Sequence, residues 1–110
     1  MGRFIKGDIV VVPFPFSDLT QAKRQPPLVV SELHGDDYML CQITSKSVKD
    51  KYAILIKERD FETGFLKQES NVRPNRIFTA DQHIILYQVG HLKTEKTNQI
   101  IERIINILKQ

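Results

Sequence analysis

The chain has 110 residues, 41% of them hydrophobic, enough for a single domain over 1–110 with a core of its own. Sixteen Lys and Arg against thirteen Asp and Glu leave a net charge of +3, which admits a polyanionic partner without requiring one. The lone cysteine, Cys41, excludes an internal disulfide, and no apolar stretch approaches the roughly 20 residues of a membrane-spanning helix.

At the N-terminus, Arg3 and Lys6 precede only a short apolar run that ends at Pro13, so no targeting signal is read there and the expectation is a cytoplasmic protein. Asp8 to Val12 is a continuous run, β-branched from Ile9 on, the pattern of a strand covered on both faces or closed within a barrel. Pro13 and Pro15 lack amide donors and end it. Ser17 to Gln25 is a polar loop carrying Lys23 and Arg24, and Leu28 to Glu32 resumes as a second strand after Pro26 and Pro27. His34-Gly35-Asp36-Asp37 is a turn, leading to a third strand from Tyr38 to Thr44. Cys41 falls in that run and reads as a small buried hydrophobe.

Ser45 to Lys51 is a polar connection, and Tyr52 to Ile56 a fourth strand. Asp60 to Gly64 is expected to form a turn or short helical turn stopped by Gly64. Asn71 to Thr79 is extended, with pairing interrupted at Pro74. His83 to Val89 is a last strand, closed by Gly90. Thr94 is placed as the cap of a helix running to about Lys109. Ile100, Ile101, Ile104, Ile105 and Leu108 form one face of that helix, and the stripe is read as covering the sheet. The pattern of short strands followed by one terminal helix points to a mostly β protein, either a small barrel or a strongly bent sheet.

His34, His83 and His91 are scattered without metal-ligand spacing, and no glycine-rich phosphate cradle is present. What remains is cationic and hydroxyl chemistry in three clusters: Lys23-Arg24-Gln25, Thr44-Ser45-Lys46, and Arg73-Pro74-Asn75-Arg76. Such groups suit RNA cleavage in which the 2′-hydroxyl attacks the adjacent phosphate. Guanidinium and hydroxyl donors then stabilise the pentacoordinate phosphorane. The plainer alternative stays open: Arg73 and Arg76 as surface cations on an edge strand, Thr44 and Ser45 as ordinary strand-end residues.

Five segments in order resemble the MazF/PemK family of toxin endoribonucleases. They are Gly7-Asp8-Ile9-Val10; Pro13-Phe14-Pro15-Phe16-Ser17-Asp18-Leu19; Pro26-Pro27-Leu28-Val29-Val30-Ser31; Cys41-Gln42-Ile43-Thr44-Ser45; and Ser70-Asn71-Val72-Arg73-Pro74-Asn75-Arg76-Ile77-Phe78-Thr79. The resemblance implies an SH3-like β-barrel of the CcdB/MazF type with a C-terminal helix, usually a homodimer. It also implies the toxin of a type II toxin–antitoxin system, a metal-independent endoribonuclease without cofactor that cuts single-stranded RNA to a 2′,3′-cyclic phosphate. A cognate antitoxin blocks its groove, DNA is met only through the antitoxin complex, and no membrane is involved.

The family's catalytic arginine directly precedes the proline of the second strand. That position is Gln25 here, with Arg24 one residue earlier. On this resemblance the catalytic residues are Arg24, Thr44 and Arg73. Phe14, Ser17, Lys23, Gln25, Ser45, Asn75 and Arg76 are assigned to the substrate. Asn75 stands where some members carry an acid. Gln25 keeps a second reading open, an RNA- or protein-binding module that does not cut; a CcdB-like gyrase inhibitor is a third.

Overall fold

The computed structural model describes residues 4–13, 26–45 and 49–110. Within them seven strands and one α-helix follow in chain order: β1 (Asp8–Val11), β2 (Leu28–Glu32), β3 (Asp37–Thr44), β4 (Ile54–Ile56), β5 (Phe61–Gly64), β6 (Ser70–Asp81), β7 (Tyr87–Leu92) and α1 (Thr94–Lys109). They form one antiparallel sheet in the order β4-β6-β3-β2-β1-β7-β5, curled into a half-barrel that carries α1. The expected mostly β architecture with a terminal helix is the observed one.

Continuous β-branched and apolar runs serve both faces of the curl. One face collects Ile9, Leu28, Cys41, Ile43, Ile54, Ile56, Val72 and Leu92, with Ile100 of α1 packed into them. The other collects Val10, Val12, Val29, Tyr38, Leu40 and Ala80. Alternation along β3 explains the division: Tyr38 and Leu40 point one way, Cys41 and Ile43 the other.

Several boundaries differ from the sequence expectation. His83 belongs to a 3₁₀ turn over Gln82–Ile84, not to a strand, because the Asp81 carboxylate accepts the His83 amide at 2.8 Å and ends β6. The last strand therefore starts at Tyr87. Gly90 lies inside it, pairing with Ile9 on one side and Gly64 on the other. A Cβ at Gly90 would stand 2.9 Å from the Phe61 ring, so the glycine serves close packing and not termination. Thr94 is the first helical residue and Lys93 occupies the cap position without a side-chain bond. Leu92 is still bonded to Gly7, so strand passes to helix through Lys93 alone. The apolar stripe of α1 fades toward its end: Ile100 is fully buried, but Leu108 is 77% exposed.

The expected turn over Asp60 to Gly64 is instead a 3₁₀ turn over Glu58–Asp60 followed by β5, which pairs with β7. Gly64 adopts φ of 72°, and a Cβ there would collide with the Val89 carbonyl oxygen. Gly64→Ala is expected to destabilise the fold by about 2–4 kcal/mol, combining left-handed strain with a backbone clash. A denaturant midpoint within error of the wild type would contradict that.

Candidate active site

The longest ladder joins β3 to β6 and carries the irregularity on which the site is built. Thr44 pairs with Asn71 and Ile43 with Val72, then Cys41 pairs with Ile77. Gln42 alone thus opposes Arg73, Pro74, Asn75 and Arg76. Pro74 lacks an amide donor, and a bulge is where a sheet tolerates that. The sequence expectation of interrupted pairing in this segment is met, but the strand continues on both sides of it, from Ser70 to Asp81.

Strand alternation puts Gln42 and Thr44 on the face opposite Ile43, and Asn71 and Arg73 opposite Val72. A diagonal step across an antiparallel pair is about 7–8 Å, so Thr44 and Arg73 are within reach of one phosphodiester group. Thr44 is 8% exposed at the end of β3, and Ser45 follows it exposed to solvent. Asn75 and Arg76 are exposed on the bulge. Phe14, Ser17, Lys23, Arg24 and Gln25 lie outside the described residues. The attachment of their segment is described: Leu28 pairs with Cys41, so the register continued to Pro26 runs toward the Thr44 end of β3.

Arg73 is held from two directions. The buried Cys41 thiol donates to its backbone carbonyl at 3.0 Å, and burial pushes that thiol up to about 12, so it stays protonated. This agrees with reading Cys41 as a structural residue and not a nucleophile. On the other side, Asp50 Oδ2 accepts from Arg73 Nε at 3.3 Å and from Nη2 at 3.2 Å. The Asp50 Oδ1 oxygen accepts the Tyr52 amide at 2.9 Å. That amide foremost, with the Arg73 guanidinium and the Asn75 side chain, holds the Asp50 carboxyl below the usual carboxylate range, against the opposing effect of burial. A depressed carboxylate favours the folded chain above its unfolded titration range and gives that contribution up as pH falls through the folded one. The pair therefore stands throughout neutral pH.

Asp50 and Gln42 are the site residues that sequence reasoning missed. Asp50 lies in the polar connection after β3, and nothing in its local wording shows that it folds back onto β6. Gln42 faces the bulge, and its Oε1 is buried with no hydrogen-bond partner among the described residues. Strand periodicity alone does not reveal a buried polar group at this position. Among the described residues, no group of three His, Cys, Asp or Glu side chains is placed to hold a metal ion, and no helix is long and apolar enough to cross a membrane.

Solved structures of similar shape agree with this architecture. An endoribonuclease in complex with its cognate antitoxin from a mycobacterial species superposes with a TM-score of 0.76 at 14% identity, over 97% of this chain and 96% of that one. The Mycobacterium tuberculosis toxin MazF-mt6 gives 0.70 at 17% identity, over 93% and 96%. A MazF from Deinococcus radiodurans gives 0.73 at 17% identity, over 97% of each chain. At such identities the likeness establishes the fold. Among proteins of curated function, none matches the chain in sequence. The sequence model of the PemK-like, MazF-like toxins of type II toxin–antitoxin systems, however, matches residues 5–108. With nearly its whole length accounted for in this way, the chain belongs to the PemK/MazF-like toxin family.

Proposed function

We propose that this protein is a metal-independent endoribonuclease that cleaves single-stranded RNA, acting in the cytoplasm as the toxin of a type II pair. The observation that carries the reading is the register that sets Thr44 and Arg73 a diagonal step apart on one sheet face beside the β6 bulge. Cleavage through the 2′-hydroxyl passes through a phosphorane with charge on its non-bridging oxygens. Arg73 offers that charge a guanidinium, and the Thr44 hydroxyl adds a neutral donor. Ser45 and Arg76 contact the neighbouring backbone, and Asn75 supports Arg73 through Asp50. Phe14, Ser17, Lys23, Arg24 and Gln25 complete the path on the side of β2, with Arg24 as a second cation at the phosphate. The cognate antitoxin covers this face, and the active form is a homodimer.

Purified protein should cut single-stranded RNA in excess EDTA and leave 2′,3′-cyclic phosphate ends. Thr44→Ala should lower the rate about 10-fold or more, through the loss of one donor at the phosphate. An unchanged rate in that variant removes Thr44 from the site. Tight RNA binding with no cleavage would favour the non-cutting binding module to which Gln25 points.

A further inference from the structure

We infer that Asp50 is the positioning residue of the site, the carboxylate that fixes the Arg73 guanidinium for phosphate binding; this rests on the reading that the Thr44–Arg73 face cleaves RNA. The bulge opposes four β6 residues to one of β3, so alternation sets the face of Arg73 but no ladder partner holds the far end of its side chain. An arginine is long and has high rotamer entropy, and an unanchored one loses much of its value as a charge stabiliser. Asp50 supplies the anchor by taking the Nε and Nη2 edge on a single oxygen, at 3.3 and 3.2 Å. With Nε and Nη2 turned to Asp50, Nη1 is the group assigned to a phosphate oxygen.

Asp50 is itself fixed by a chain of contacts reaching back to α1. Its Oδ1 accepts the Tyr52 amide, and its carbonyl accepts the Ala53 amide at 3.0 Å. Arg103 Nη1 donates to the Tyr52 carbonyl at 3.0 Å, and Gln110 Nε2 donates to the Tyr52 hydroxyl at 2.7 Å. Rigid elements thus support the carboxylate, as a group that holds another in place requires. Asp50 accepts two guanidinium donors and an amide, and its carboxyl sits below the ordinary range, so it is a poor proton acceptor at neutral pH. Its chemistry is orientation and not base catalysis. The residue at 75 is an asparagine that turns its side chain to Asp50, so the acid reaches Arg73 from the β3–β4 connection and not from β6.

The test uses the full chain with a fluorogenic single-stranded RNA in EDTA. Asp50→Asn keeps the shape and the Tyr52 contact but loses the charge; kcat is expected to fall about 10–100-fold with KM changed less than about threefold. Adding Asn75→Asp returns a carboxylate to the same guanidinium and should recover at least about tenfold. A residue that only supports the fold would not be rescued in this way. Asp50→Asn at the wild-type rate, or a kcat loss that the second carboxylate leaves untouched, overturns the proposal while the nuclease reading stands. Should Asp50→Asn fail to fold, Asp50→Glu decides: a folded variant at least about fivefold slower supports the positioning role, and one at wild-type rate overturns it. A wild-type protein that cuts no RNA overturns both readings.

Discussion

Arg73→Ala is expected to lower kcat for RNA cleavage about 10²–10³-fold, the loss seen when one preorganised donor at a developing oxyanion is removed. The size of the effect follows from the site's composition. Among the described site residues, Arg73 and Arg76 carry formal positive charge, and only Arg73 is fixed by a carboxylate. The variant should also lose about 1–3 kcal/mol of stability, because the Asp50 carboxylate, 10% exposed, is left without its cation. That loss is small enough for the protein to be assayed folded. Arg73→Lys separates charge from geometry. A lysine keeps the cation but cannot reproduce the forked contact to Asp50, so most of the activity loss should persist. Single-turnover rates with thermal denaturation on the same samples read both effects. Full activity in Arg73→Ala would move the catalytic cation elsewhere.

Ile100→Ala should be among the most destabilising single truncations in the helix. Ile100 is 0% exposed and enters the same cluster as Ile9, Leu28, Ile43 and Val72. Cutting a buried isoleucine to alanine costs about 2–5 kcal/mol, and for a domain of this size the melting temperature should drop by roughly 10 °C or more. Leu108→Ala is the control within the same helix. At 77% exposure it should stay within about 0.5 kcal/mol of the wild type. The loss also reaches the site, since Arg103 of α1 and Gln110 just after it hold the Tyr52 segment that carries Asp50. Near its melting point Ile100→Ala should lose cleavage faster than its folded fraction declines. Equal melting temperatures for Ile100→Ala and Leu108→Ala would contradict the placement of α1 on the sheet.

Much of the fold is legible in the chain because its strands are marked at both ends. Leu28 to Glu32 reads correctly since Pro27 precedes it and the apolar run Leu28-Val29-Val30 opens it. The helix over Thr94–Lys109 is plain from the isoleucine spacing. The errors cluster where a tertiary contact overrode a local signal. Gly90 looks like a stop, yet it is a flat place in β7 against which Phe61 packs. At Asp81 the cause is local: its carboxylate accepts the His83 amide two residues on, which removes His83 from the strand.

The candidate site is half legible. Thr44, Arg73 and Asn75 stand out by residue type, and the neighbouring strands β3 and β6 carry them. Asp50 was invisible, since its role depends on the fold-back of one connection onto a bulge, and no periodicity encodes that.

Chemical-shift mapping with a single-stranded RNA carrying 2′-O-methyl groups, which block the attacking hydroxyl, addresses the location of the site directly. Amide shifts are expected to concentrate at Gln42, Thr44, Ser45, Asp50, Asn71, Val72, Arg73, Asn75 and Arg76. Shifts gathered instead around the hollow of about 320 Å³ lined by Ile56, Phe61, Phe65 and Leu66, with the β6 bulge unmoved, would contradict it.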